Sequence, residues 1–352
     1  MSRDATDLAP DALELDISPD GTPENPILVI PLDAWAGEAP ERIERMAESL
    51  GGSLRLTIGV LRGPSTPSLA PLLRAVTLTL AETDYPATTT VVDCPDPDAA
   101  LRHLDEAVRR NPRASVALGL LLRQTTVPDT AAGLGAEAAV YSMLLAGSEF
   151  DRWLAARGGP KPVVFPDRPL VALDRDGDLL SVMLDHPERR NALSFRLREE
   201  LLEAVRLAEL DPGIGRVLLR GSGPVFCSGG DLDEFGTAAD VVAAYLVRLE
   251  RAPWRIIDRL RDRVSAHVQG ACIGAGIEMA AFAGRLVATP ETFFRLPEIE
   301  MGLVPGAGGT VSIPRRIGRW RAAWMMLTGD RIDTATALRW KLIDAVEEAT
   351  TS

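Results

Sequence analysis

Residues 270–284 read GACIGAGIEMAAFAG. Small and apolar side chains surround a single acid, Glu278. A carboxylate buried in such a setting is costly unless hydrogen bonds or charges stabilise it. The two glycines before it, Gly274 and Gly276, fit the start of a helix, where free N–H groups and the positive dipole end favour a negative charge. The run therefore predicts a strand, a glycine turn and a short helix that carries an acid one turn in.

Two other stretches share this pattern of strand into glycine. One is PVFCSGGDLDEF (224–235) and the other is FFRLPEIEMGLVPGAGGT (293–310). Taken singly, each glycine pair reads as a turn, a close packing point or a flexible loop, and PGAGGT lacks the Gly-Lys-Ser/Thr of a phosphate loop. Taken together, they offer backbone amides that a ligand can approach with no side chain in the way. Two such amides, one from the 229–231 turn and one from the 274–276 turn, are suited to hold one carbonyl oxygen.

The surrounding sequence alternates strand and helix, which predicts a layered α/β protein. After an acidic segment at 1–24, read as a disordered tail, PILVIPLD is a strand, APERIERMAESL a helix and LRLTIGVLRG a strand. LAPLLRAVTLTLAET (69–83) reads as a second helix and TTTVVD as a third strand. Residues 96–157 read as successive helices. Residues 158–169 hold two Gly and four Pro in twelve positions and read as a linker. The α/β rhythm then returns: a hairpin turning at DGD, a helix that Ser194 can cap, a strand, one helix over VVAAYLVRLERAPWRIIDRL, and RVSAHVQG as a strand. The domains expected are 1–24 (tail), 25–157, 158–168 (linker) and 169–352.

Composition narrows the function classes. The 352 residues carry 38 Lys and Arg against 50 Asp and Glu, a formal charge of −12. A general nucleic-acid binder needs a basic surface instead. Three scattered cysteines (Cys94, Cys227, Cys272) and three scattered histidines fit neither a disulfide framework nor a metal site. No apolar run reaches the ~18 residues of a membrane span, and the polar N-terminus is no signal peptide. A cytoplasmic protein without membrane or nucleic-acid partners is expected. Cys227 and Cys272 read as core fillers.

The three glycine-bearing stretches, in this order and spacing, together with HPERRNALS (186–194), resemble the crotonase (enoyl-CoA hydratase/isomerase) superfamily over about residues 169–347. The resemblance implies a crotonase-like ββα superhelix core, here preceded by a smaller α/β unit ending in helices. It implies a CoA thioester as substrate, with no cofactor and no metal. It implies Gly230 and Ala275 as the oxyanion amides, Ala275 standing where the family usually has glycine. It implies Glu278 and Glu298 as the acid–base pair of a hydratase, one handling water and the other the alpha carbon. Glu300 is offset from the family position and reads as a structural acid, and Asp231 as a loop-stabilising acceptor. For Glu278 the competing reading is a buried acid paired with an arginine such as Arg295. CoA contacts are implied at Arg189, Arg190, Asn191, Ala192 and Leu193, and, from the family's last helix, at Arg157 or Lys161. A homo-oligomer, a trimer or dimer of trimers, is also implied.

One departure stands out. The family continues past LIDAVEE with several helices, whereas residues 88–157 resemble that helical segment here. Two readings are open: the front half is a degenerate copy of the fold, favoured because ILVIPLD…LRLTIGVLRG echoes LLSVMLD…IGRVLLRG, or its helices complete the second unit in the same chain or a partner. Glu137 in GLGAEAA superficially mimics Glu278, but its surroundings match the terminal helices. Hydration of a 2-enoyl-CoA is the favoured function. An isomerase, acyl-CoA hydrolase or ring-modifying relative is the alternative, and a non-catalytic thioester-binding or assembly subunit is the alternative of another class.

Overall fold

A computed structural model describes residues 10–82, 89–125 and 129–348. Residues 1–9 of the expected tail and 349–352 of the expected core lie outside the described residues. Residues 10–24, expected as disordered, are instead fastened to the body. Pro10–Leu13 forms a 3-10 turn, and Ile17 bridges Pro23. The Ser53 hydroxyl donates to the Leu13 carbonyl at 2.7 Å, and the Arg113 guanidinium donates to the Asp20 carbonyl at 2.6 Å. The segment also bonds within itself: the Asn25 amide donates to the Asp16 carboxylate at 2.6 Å, and the Thr22 N–H donates to the Ser18 hydroxyl at 3.1 Å.

The front half begins with β1 (Ile27–Pro31), α1 (Pro40–Gly52), β2 (Leu56–Leu61), α2 (Ala70–Ala75), β3 (Leu78–Ala81) and β4 (Val91–Asp93). The strands form one parallel sheet in the order β1-β2-β3-β4. The helix expected over 69–83 stops at Ala75 and gives way to β3, a correction with a clear cause. Val76, Thr77 and Thr79 are β-branched, and Leu78 and Leu80 are fully buried; a parallel strand covered on both faces reads as a near-continuous apolar run.

Four helices follow: α3 (Pro97–Arg110), α4 (Pro112–Thr125), α5 (Thr130–Leu145) and α6 (Ser148–Arg157). Asp96 and Asp129 cap α3 and α5 through their carboxylates, and Gly158, at φ +86°, ends α6 in the left-handed conformation. Residues 159–169 run without helix or strand.

The second half contains the hairpin β5 (Val171–Asp176) and β6 (Leu179–Leu184), then α7 (Phe195–Leu210) capped by Ser194, and β7 (Arg216–Gly221). The helix expected over 241–260 is two, α8 (Val241–Glu250) and α9 (Pro253–Arg259), because Pro253 cannot donate within a helix and opens a new one. There follow β8 (Val264–Val268), β9 (Ala271–Ile273), α10 (Ala275–Ala280), β10 (Arg285–Ala288), β11 (Phe293–Arg295), α11 (Gly309–Thr328), β12 (Ile332–Asp333), α12 (Thr334–Trp340) and β13 (Ala345–Val346). Six strands make one sheet in the order β13-β10-β8-β7-β6-β5, antiparallel only at the hairpin, and β12-β11-β9 make a smaller one.

β1 and β2 pair in parallel across one helix, as β6 and β7 do. The apolar core does not stop at the linker. Leu118, Leu121, Leu134 and Tyr141 of the front helices share one core with Val311, Ile313 and Ile317 of α11, while Trp35, Ile43 and Leu72 form a separate cluster beside the front sheet. The same core takes in Leu56, Ile58, Leu78, Leu80 and Val92 of the front sheet, so it runs continuously from the front sheet through these helices into the second half.

Candidate active site

A cleft of about 440 Å³ opens where the glycine-bearing stretches converge. Its inner wall holds Gly230, Ala275, Glu278, Glu298 and Ala307; its outer wall runs along Gly236–Val247 and includes Tyr141 and Leu145 from α5. The front half therefore lines the cleft within the same chain. Gly274 sits at φ +49° and ψ −125°, a conformation that L side chains rarely adopt, and caps α10. Gly229, at φ +95°, makes the facing turn. Asp231 and Leu193 continue that turn through Leu193 N–H to Gly229 and Asp231 N–H to Leu193. Among the described residues the amides of Gly230 and Ala275 donate to no protein acceptor, and both residues line the cleft.

Glu278 is 2% exposed. Its Oε2 accepts from the amides of Ala307 (2.7 Å) and Gly309 (2.9 Å). Arg295, considered as its partner, pairs with Glu300 instead, at 2.5 Å, and donates to the Gly329 carbonyl. Burial pushes the Glu278 carboxyl well above the usual range, and the neighbouring charges of Glu298 and Glu137 add to this, while the two amides oppose it.

Glu298, 8% exposed, lies against Gly274: a methyl group there would come within 2.6 Å of its Oε1. Its Oε2 has no hydrogen-bond partner. Burial pushes its pKa up to about 8, with Glu137 raising it further and Arg295 opposing. Burial favours the protonated form of both acids, and what distinguishes them is their hydrogen bonding. Two N–H donors favour charge on Glu278, and none supports charge on the free oxygen of Glu298.

The sequence profile described as Enoyl-CoA hydratase/isomerase matches residues 174–350. This chain belongs to that family. The protein named "Probable enoyl-CoA hydratase echA8" in Mycobacterium leprae is 33% identical over 167 residues, 47% of this chain and 63% of the relative. The mitochondrial enoyl-CoA hydratase of Pongo abelii is 32% identical over 167 residues, 47% of this chain and 56% of the relative. The chain thus spans under two-thirds of the length of these curated relatives. The solved enoyl-CoA hydratase from Bacillus anthracis aligns with 51% of this chain and 70% of its own, at 28% identity and a TM-score of 0.48.

In this enoyl-CoA hydratase/isomerase family member, three of the residues expected near a nucleotide, Arg189, Arg157 and Lys161, gather around Asp231 and Asp233, and Asp231 lines the cleft. Arg189 donates to Asp231 (2.6 and 3.0 Å) and Asp233 (2.8 Å), and Arg157 donates to Asp233 (2.6 Å). Lys161, exposed, donates its backbone amide to the Asp233 carbonyl. Arg190 is exposed with φ +55°. The Asn191 side chain is fully buried and committed to the protein: it accepts from His186 N–H and donates to the Ser222 and Val225 carbonyls. Ala192 is buried and Leu193 lines the cleft. Asp231 acts as the loop acceptor expected of it.

Sequence reading did not identify Arg248 or Tyr141, and it set Glu137 aside. Arg248 donates to the Gly306 carbonyl at 2.9 Å and stacks 3.8 Å from the Tyr141 ring centroid. The available signal was a charge set in a mostly apolar helix: Arg248 in VVAAYLVRLE, where Glu250 is the other charge, and Glu137 alone in TAAGLGAEAAVYSMLL. Cys227 and Cys272 are fully buried core residues. Among the described residues no group of three His, Cys, Asp or Glu is placed to hold a metal, and no helix is long and apolar enough to cross a membrane.

Proposed function

We propose that this protein adds water to a 2-enoyl-CoA thioester, or removes it in reverse. The observation that carries the reading is one cleft bearing two buried, unequal carboxylates and two unused backbone amides. The amides of Gly230 and Ala275 hold the thioester oxygen as negative charge develops on it, each donor being worth about 2.7–4 kcal/mol of barrier. In its ionised form, which the Ala307 and Gly309 amides support against burial, Glu278 orients a water and takes its proton as the oxygen attacks the beta carbon. Glu298, protonated at neutral pH, gives its proton to the alpha carbon. The carboxyls exchange roles in the reverse direction. Ala238, Ala243, Ala244, Val247 and Leu145 offer an apolar wall for the acyl chain. Arg189, Arg157 and Lys161 meet the nucleotide phosphates. Membership in a family whose relatives are named hydratases supports the same reading.

The test is loss of the conjugated-thioester absorbance on mixing the protein with crotonyl-CoA, with the product identified by mass. Glu278→Gln and Glu298→Gln should each slow the reaction by about 10²–10⁴-fold. Full rate in both variants rules out the two-acid mechanism, and a product isomeric with the substrate replaces hydration by double-bond migration.

A further inference from the structure

Residues 306–310 are the loop that enters α11, and every backbone group named here is held by a charged side chain from a different helix. Arg248 of α8 donates to the Gly306 carbonyl at 2.9 Å. Glu278 of α10 accepts from the amides of Ala307 and Gly309. Glu137 of α5 accepts from the amides of Gly308 (2.6 Å) and Thr310 (2.8 Å), and from the Thr310 hydroxyl (2.7 Å). Four consecutive amides are therefore shared alternately between two carboxylates on opposite sides of one strand of chain. Glu137 is 2% exposed and is the one charged residue of α5.

We propose that Glu137 is a positioning residue: by clamping Gly308 and Thr310 it fixes the loop that orients Glu278, and so makes the front half of the chain a working part of the active site. This rests on the reading of Glu278 as an acid–base group.

Three facts support more than a structural role. The clamp has no slack, since a methyl group at Gly309 would fall 2.7 Å from Glu278 Cγ. The amides that Glu137 holds, Gly308 and Thr310, alternate with those that Glu278 holds, so a shift of the loop moves the donors of Glu278 directly. The negative charge of Glu137 also reaches both cleft acids and raises their proton affinity. Burial pushes Glu137 itself up to about 7, opposed by Thr310, Gly308 and Arg248. The groups facing this cluster are Arg248 from α8, Tyr141 from α5, Glu298 with Arg295 and Glu300 behind it, and Cys227 from the loop after β7.

Glu137→Gln keeps the shape but removes the charge, and it turns an NH₂ toward one set of amide donors. Its turnover number should fall about 10–100-fold with KM little changed, as a small misplacement of a reacting group requires. The titration of Glu278, followed by ¹³C NMR of glutamate-labelled protein and assigned by its loss in Glu278→Gln, should shift from its wild-type midpoint. Thr310→Val, which removes only the hydroxyl donor, moves turnover the same way by a smaller factor and guards against a Glu137→Gln variant that does not fold. The inference is overturned if the Glu278 titration and turnover stay at wild-type values in Glu137→Gln, or, should that variant not fold, in Thr310→Val. It is also overturned if KM and stability alone change. The titration needs no substrate, so it tests Glu137 even if crotonyl-CoA is not turned over; an active enzyme with an unmoved Glu278 overturns this inference alone.

Discussion

Replacing Glu298 by glutamine should make the protein more stable in mild alkali while nearly abolishing its chemistry. Glu298 is 8% exposed, its Oε2 has no partner, and burial lifts its pKa to about 8 from an ordinary 4.5. A pKa raised by folding means that the folded state holds this proton more tightly than the unfolded chain does. Stability from this group is then complete below about pH 4.5. It declines as pH rises from there to about 8, where the folded protein also ionises. At 1.36 kcal/mol for each tenfold in proton affinity, the full decline is on the order of 4–5 kcal/mol. Glutamine stays neutral throughout and removes the decline. Urea unfolding followed by tryptophan fluorescence at pH 5, 7 and 9 reads the difference directly. The variant should exceed wild type only slightly at pH 5 and by a growing margin to pH 9, while turnover falls about 10²–10⁴-fold. A stability difference that stays constant across this range, or a variant weaker at pH 9, refutes the claim that Glu298 is a buried acid kept neutral by its surroundings.

Other perturbations read other parts of the site. Gly274→Ala places a side chain at φ +49° and 2.6 Å from Glu298 Oε1; strain of about 1–3 kcal/mol should lower the urea midpoint, and turnover should fall at least tenfold. Asn191→Ala removes three hydrogen bonds, one buried and two part-buried, from the turn before α7 and should destabilise the protein by about 2–4 kcal/mol in the same assay. Arg189→Ala takes away the cation that bridges Asp231 and Asp233 and should raise KM for a CoA ester about tenfold with turnover nearly unchanged, measured by initial rates.

The site was legible where local chemistry dictated it. An acid two residues after a glycine-flanked triplet, a Pro-Glu pair before a glycine-rich loop and a Gly-Gly-Asp turn each carry their meaning within a dozen residues, and the structure gathers Gly230, Ala275, Glu278 and Glu298 in one cleft. Long-range choices were harder. Nothing near Glu137 announces that its donors lie at Gly308 and Thr310. The strand β3 was hidden because a fully buried parallel strand and a buried helix share the same apolar composition, and only the β-branched residues distinguish them. The break at Pro253 was visible but outweighed by the helical pattern on either side. Residues 10–24 look unstructured by composition because the groups that hold them, Ser53 and Arg113, lie elsewhere in the chain.

Glu137 and the Gly308 amide that it accepts are 171 residues apart in sequence. At a translation rate of roughly 5–20 residues per second, α5 leaves the ribosome on the order of ten to thirty seconds before the glycines that answer its carboxylate exist. Throughout that interval a nearly all-apolar helix with one unanswered acid waits beside a finished parallel sheet. The nascent front half is therefore a natural client for a chaperone, and a message cut short before residue 310 yields a product whose stickiest helix never finds its cover.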